Sequence, residues 1–138
     1  MIELLNVSKS YNGTVKAVDD LTLVVPEGQI IGFLGPNGAG KTTTLKIIVG
    51  VLNADSGSIT INGTDIKENP LDAKSQFGYV PDNPDMFLRL KGIEYLNFMA
   101  DIYKVPGDAR EKRIKELSES FEMEAALNDQ IQSYSHGM

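Results

Sequence analysis

Ile30-Ile31-Gly32-Phe33-Leu34-Gly35-Pro36-Asn37-Gly38-Ala39-Gly40-Lys41-Thr42-Thr43 is the stretch on which the reading of this chain turns. Its apolar opening, residues 30–34, is long enough for a strand buried on both faces, as in a parallel sheet. After the glycines come Leu45, Ile48, Val49 and Leu52, which recur at helical spacing. A strand, a glycine-rich turn and a helix are therefore expected in succession. Within the turn, residues 35–42 satisfy Gly-x4-Gly-Lys-[Ser/Thr], the pattern called Walker A.

That pattern suits a phosphate position by position. Gly35, Gly38 and Gly40 are expected to allow positive φ and to leave no side chain between backbone N–H groups and an anion. The helix that follows adds its positive N-terminal end. Lys41 can reach the β- and γ-phosphates as a mobile charge, and the Thr42 hydroxyl is a hard oxygen suited to Mg²⁺. An ordinary glycine turn needs neither the lysine nor the threonine. Nucleotide binding is therefore expected at Gly35, Pro36, Asn37, Gly38, Ala39, Gly40, Lys41, Thr42 and Thr43.

Outward from this stretch, Ile2–Val7 and Val18–Val25 read as strands, the second with Leu21, Leu23 and Val25 on one face. Ser58–Ile61 and Phe77–Val80 read as two more. Then the period changes. Leu88, Ile93, Leu96, Met99, Ile102 and Tyr103 fit one face of a helix that stops before Pro106-Gly107. A second helix is expected from Asp108, with Glu111 as its capping-box partner, through Ile114, Leu117 and Phe121. The class is α/β, with a nucleotide-binding core over residues 1–84 and a helical portion over 85–138.

Composition narrows the function classes. With 138 residues and 41% hydrophobic content the chain can bury one core but not several. Thirteen Lys plus Arg against 19 Asp plus Glu give a net charge of −6, which disfavours direct nucleic-acid binding. The deficit falls after residue 50, so the region around the glycine turn can best tolerate an anion. No cysteine is present, which excludes disulfides, thiol catalysis and cysteine-ligated zinc. No uncharged apolar run approaches the roughly 18 residues of a membrane span, and no secretory leader is expected.

The loop as Gly-Pro-Asn-Gly-Ala-Gly-Lys-Thr-Thr-Thr, with Tyr11 and Leu21-Thr22-Leu23 before it and Asp55-Ser56-Gly57-Ser58-Ile59 after it, resembles an ATP-binding cassette ATPase. The resemblance runs from Ile2 to Met138. It is closest to nucleotide-binding subunits of bacterial exporters, judged by Gly78-Tyr79-Val80-Pro81 and Tyr134-Ser135-x-Gly137-Met138. It implies an incomplete P-loop NTPase core of the ABC type, with an N-terminal antiparallel β portion and a helical subdomain. It also implies ATP and Mg²⁺ as ligands, and as partners a transmembrane permease and a second ABC ATPase subunit. The place implied is the cytoplasmic face of the cell membrane, reached through the permease.

The resemblance further implies that Tyr11 stacks on adenine. Asp82 stands where the family usually has a Gln that ligates Mg²⁺; its side chain is one methylene shorter. Tyr134-Ser135-His136-Gly137-Met138 aligns with Leu-Ser-Gly-Gly-Gln, the signature that covers the ATP held by the second subunit, and Ser135 and Gly137 match it. In the family the magnesium Asp, the water-activating Glu and the switch His follow the signature, so the chain is expected to stop within that motif. The segment from Asp82 through the helix of Ile93–Tyr103 lies where the family receives a cytoplasmic helix of the permease, and Met86, Phe87 and Leu88 are the apolar residues expected to meet it.

Rival readings are weaker. The loop also fits Gly-x-x-Gly-x-Gly-Lys-Thr, shared by nucleoside and nucleotide kinases, but 29 residues precede the strand that in those enzymes usually comes first. A GTPase would carry Asn-Lys-x-Asp, which is absent. A soluble ABC protein and a non-catalytic, nucleotide-dependent interaction module remain as alternatives. The 138-residue chain is expected to bind ATP yet hydrolyse it negligibly, since no residue stands at the family's position for the general base, a group typically worth about 10²–10⁴ in rate. Steady-state phosphate release at saturating Mg-ATP checks this: turnover of about one per second, abolished by Lys41→Ala, would reveal a base within these residues.

Overall fold

In the computed structural model, which describes residues 1–81, 87–135 and 137–138, the chain opens with an antiparallel hairpin. β1 (Ile2–Ser10) and β2 (Lys16–Val25) are joined across Asn12-Gly13. β3 (Ser56–Ile61) pairs antiparallel with the other edge of β1, and the two-residue β4 (Thr64–Asp65) pairs with β3. The sheet order is β2-β1-β3-β4. Between β2 and β3 lies α1 (Lys41–Ile48), and α2 (Pro70–Lys74) follows β4. All of these fall in the first of two compact units, Met1–Tyr79; the second is Val80–Met138.

The core of the first unit is one face of this sheet closed by α1. Leu4, Val7, Val18, Ile47 and Ile59 are its buried residues, with Leu21, Leu23, Ile48 and Leu52 packed against them. Along β2 the alternation of Leu21, Leu23 and Val25 is observed. On α1 the buried positions are Thr44 and Ile47, whereas Leu45 is 43% exposed. The helix ends at Ile48, so the expected run on through Val49 and Leu52 leaves the helix after one turn less than the periodicity suggests.

Leu4 and Val7 are both fully buried although three residues apart, which a regular strand would place on opposite faces. A bulge at Asn6 reconciles them. Leu4 pairs with Leu23 and Val7 with Leu21, so three steps on β1 match two on β2. Asn6 and Asp20 both take left-handed backbone, at φ 51° and 48°. Side chains answer the disturbed ladder: the Asn6 N–H donates to Thr22 Oγ1 at 3.1 Å, Asn6 Nδ2 to Asp20 Oδ1 at 2.9 Å, and the Asp20 N–H to Ser8 Oγ at 2.9 Å. On the other edge, Gly57 (φ 88°) abuts the bulge, where a Cβ would lie 2.5 Å from the Leu5 carbonyl oxygen and 2.6 Å from that of Asn6.

Two expected strands are not present. Residues 30–34 and 77–80 adopt no strand, and Ile30 and Leu34 are almost wholly exposed. A strand buried on both faces draws its ladder from neighbours on either side. The four described strands pair only with one another, and neither edge strand, β2 or β4, takes residues 30–34 as a neighbour.

In the second unit α3 (Gly92–Ile102) starts four residues after Leu88, which sits in a turn instead. The Glu94 carboxylate accepts the Lys91 N–H at 2.8 Å and closes that end. α4 (Gly107–Ser120) begins one residue before Asp108 and has no side-chain cap, so the expected Asp108–Glu111 box does not form. Pro106, with φ fixed by its ring, already sets the entry to the helix. Leu117 and Phe121 are 56% and 72% exposed, and Ser118 is the buried residue of α4. Arg110 ties α4 to α3 through Asp101 at 2.5 Å and to the Val105 carbonyl at 3.2 Å. Two short 3-10 helices, Glu124–Asn128 and Ile131–Ser133, complete the unit.

The far end of β1 is held by Asp55, whose carboxylate takes the Lys9 ammonium at 2.6 Å and the Ser10 N–H at 2.7 Å. Lys9 first, and then that amide, hold the Asp55 carboxyl below its ordinary 3.8. A folded-state value below the unfolded one stabilises the fold above the unfolded value, and that help is lost as pH falls through the folded one. Urea unfolding measured from neutrality downward should therefore show an acid-induced loss of stability that begins below about pH 4 and is shallower in Asp55→Asn. An identical acid limb in the variant would remove Asp55 from this role.

Candidate functional site

The phosphate-binding pattern becomes a loop whose end is fixed by steric contact. Gly40 is the residue before α1 and stands at φ 82°, ψ 3°. A Cβ there would lie 2.1 Å from the Ala17 carbonyl oxygen on β2 and 3.6 Å from Val18 Cγ2. Only glycine satisfies both the left-handed backbone and this approach. Gly38 is also left-handed, at φ 84°, but faces open space. Gly35 departs from expectation: its φ is not positive, and a Cβ would meet Ala39 Cβ at 3.3 Å, so its place reflects crowding within the loop.

Past Gly40 the chain enters α1 directly. The Gly40 carbonyl accepts both the Thr44 N–H at 2.8 Å and the Thr44 hydroxyl at 2.9 Å. The first amides of a helix have no partner within it, so those of residues 41–43 point out of its N-terminal end. That end carries no acidic side chain in its first turn, and Lys41 adds a full positive charge. Its ammonium donates to the carbonyls of Gly35 at 2.6 Å and Pro36 at 2.8 Å, while the Ala39 N–H closes a turn onto Pro36 at 3.2 Å. Lys41 thus spans the loop from end to end.

A cleft of about 390 Å³ opens over this arrangement, lined by Asn37, Gly38, Gly40, Lys41, Thr42 and Thr43 on one side and by Tyr11 and Ala17 on the other. Tyr11 lies far from the loop in sequence, yet its hydroxyl is 3.2 Å from Thr43 Oγ1 and its ring is 61% exposed. Thr42 lines the cleft as well. Among the described residues no group of three His, Cys, Asp or Glu could hold a metal ion unaided. A Mg²⁺ here would take Thr42 as a protein ligand and draw the rest from phosphate oxygens and water, which is its usual habit. Asp82, the other expected metal ligand, lies outside the described residues, as do Met86 and His136.

Ser135 and Gly137 are exposed in the second unit, with Ser135 and Met138 closing a turn: the Met138 N–H reaches the Ser135 carbonyl at 3.0 Å and the Ser135 N–H reaches Met138 Sδ at 3.4 Å. Phe87 is 39% exposed at φ 70° and leans back on its own unit, with ring centroids 5.7 Å from Tyr95 and 5.4 Å from Phe98. Two contacts escaped the sequence reading. The Ala17 carbonyl against Gly40 and the Tyr134 hydroxyl against Gly92 carry no local signal, because each joins positions distant in the chain.

Gly40→Ala should lower the stability of the fold by more than about 1–3 kcal/mol, since a strained backbone angle and an overlap with Ala17 add. Chemical denaturation of wild type and variant measures this. A difference below about 0.5 kcal/mol would mean that the loop start is not fixed by that contact.

Comparison with known proteins then places the geometry. The ABC transporter family profile matches residues 18–138. The chain is 40% identical over 137 residues to the lipopolysaccharide export system ATP-binding protein LptB of Escherichia coli strain K12, covering 96% of this chain and 56% of that one. It is 37% identical over 138 residues to the Nod factor export ATP-binding protein I of Cupriavidus pinatubonensis, covering all of this chain and 42% of that one. Among solved structures, an ATP-binding subunit of an ABC transporter superposes with a TM-score of 0.92 at 32% identity, over 100% of this chain and 57% of the other. A dimeric post-hydrolysis state of the cassette MJ0796 bound to ADP and Pi gives 0.84 at 25%, over 99% and 64%. The chain spans about half the length of the curated relatives it matches. With an antiparallel sheet and helices that match an incomplete P-loop NTPase, and the family profile over most of its length, this chain belongs to the ABC transporter family.

Proposed function

We infer that the protein is the ATP-binding part of an ABC transporter, coupling ATP binding and hydrolysis to the passage of a substrate through a membrane permease. The observation that carries this is the loop 35–43: a left-handed Gly40 against Ala17, Lys41 across the loop, and the bare N-terminal end of α1 face one cleft. ATP fits that cleft by charge. Its β- and γ-phosphates take the loop amides and Lys41, whose ammonium exchanges its carbonyl partners for phosphate oxygens. The Tyr11 ring, tethered to Thr43, offers the adenine a flat face at the edge of the same cleft.

Thr42 and Asp82 are the proposed protein ligands of Mg²⁺, which when bound neutralises charge on the β- and γ-phosphates. Ser135 and Gly137 are proposed to cover the nucleotide held by a second subunit, a reading supported by the dimeric state of the cassette MJ0796. Phe87 and the adjoining turn are proposed to face the permease. No described helix is long and apolar enough to cross a membrane, which fits attachment through that partner at the cytoplasmic face.

Isothermal calorimetry tests the central point. Lys41→Ala deletes a charge-assisted contact worth about 1.5–3 kcal/mol, so Mg-ATP affinity should fall roughly tenfold to a hundredfold. Equal affinity in wild type and variant would strip the loop of its assigned role.

A further inference from the structure

In the second unit the side chain of Tyr134 occupies a space that one missing methyl group leaves. Gly92, the first residue of α3, is buried, and a Cβ built on it would lie 2.1 Å from the Tyr134 hydroxyl oxygen, 3.2 Å from Cζ and 3.4 Å from the Leu127 Cα. The Gly92 backbone is not left-handed, so glycine is required there for room and not for conformation. The hydroxyl donates to the Ala126 carbonyl at 2.6 Å, and the Gly92 amide faces the same oxygen. Burial first, and then the nearby Asp129 charge, push the phenol above its ordinary 10.0.

Around this contact the backbone is laced between two segments. The Gln132 N–H reaches the Leu88 carbonyl at 3.0 Å, the Ile131 N–H reaches Leu90 at 2.9 Å and the Gly92 N–H reaches Asp129 at 3.1 Å, with Lys91 and Gln130 forming an antiparallel bridge. Residues 88–92 continue from Phe87, and the Leu90 N–H returns to the Phe87 carbonyl at 2.9 Å. Residues 129–134 continue into Ser135. Each bond is short in sequence reach from one of the two surfaces proposed above, and Tyr134 is the side chain that closes the lacing beside Ser135.

We propose that Tyr134 is a positioning residue for Ser135 and Gly137: its hydroxyl, seated between Gly92 and the Ala126 carbonyl, locks the segment that enters the signature to the start of α3, so that the Phe87–Leu90 turn and Ser135 move as one body. This rests on the reading of Ser135 and Gly137 given under Proposed function. Leucine, the usual family residue at this position, has no polar atom for the Ala126 carbonyl and would leave the space over Gly92 partly empty. Force applied by a permease at the Phe87 turn therefore reaches Ser135 through a few hydrogen bonds, without needing the length of α3.

The experiment uses the intact protein with its permease and compares Tyr134→Phe, Gly92→Ala, the double variant and Ser135→Ala. In Tyr134→Phe the calorimetric affinity for Mg-ATP and the KM should stay at the wild-type value, while permease-coupled kcat falls about tenfold, the upper range of one buried hydrogen bond. Gly92→Ala should do the same by displacing the ring, and the double variant should be no worse than either single one, because both remove one contact. Additive losses in the double variant, or wild-type coupled kcat in Tyr134→Phe while Ser135→Ala is inactive, would overturn the positioning role and leave the signature reading intact. Wild-type turnover in Ser135→Ala would overturn that reading and this proposal with it. Should Tyr134→Phe lower the melting temperature, hydrogen exchange decides: faster exchange confined to the Ile131 and Gln132 amides supports the lock, and unchanged protection there overturns it.

Discussion

The approach of Gly40 to the Ala17 carbonyl constrains the first unit more than any other contact, because it fixes where α1 can begin. The helix axis, the direction of its free amides and the reach of Lys41 all follow from that starting point. β2, which supplies Ala17, is held in turn by β1, and β1 by the buried pair Leu4 and Val7. The sheet thus acts as the base from which a loop of small residues is aimed. The phosphate site proposed here is made of backbone and has few side chains to adjust, so its precision has to come from what stands behind it.

The second unit works by different means. Among its described residues no hydrophobic side chain is fully buried, and α4 carries exposed Lys112–Glu116 and Lys115–Glu119 pairs whose N to O distances are 3.8 Å. Pairs of this kind contribute little to stability. What organises the unit is polar and local: Arg110 across the α3–α4 corner, Glu94 on the start of α3, and the backbone lacing of residues 88–92 with 129–132.

Much of this was legible in the residues. The spacing of Gly38, Gly40 and Lys41 marks the loop that the structure shows, and the hairpin strands show the period-two pattern that one buried face imposes. The two absent strands mark the limit. The apolar residues of 30–34 and 77–80 state that something should cover them, but composition does not say what, and a strand exists only where another strand accepts its hydrogen bonds. The helix starts were displaced for a related reason. Leu88 continues the apolar period of α3, yet its carbonyl is taken by Gln132, and Asp108 has the form of a cap where Pro106 has already begun the turn. Tyr134 reads only as a letter of the signature and Gly92 as a plain glycine, since the contact between them carries no local signal.

The bulge at Asn6 also bears on how the first strand tolerates changes in length. Between Leu4 and Val7 one residue of β1 is spent without a partner, so over that stretch the strand counts as if it were a residue shorter. Loss of Asn6 alone would leave Leu4 and Val7 two apart, the interval that a plain strand needs to keep both inside. Gly57 would then face a straight neighbour and no longer need its left-handed backbone. This one position therefore sets the register of the Leu4–Val7 stretch, with Thr22 and Asp20 as the side chains that receive the surplus residue.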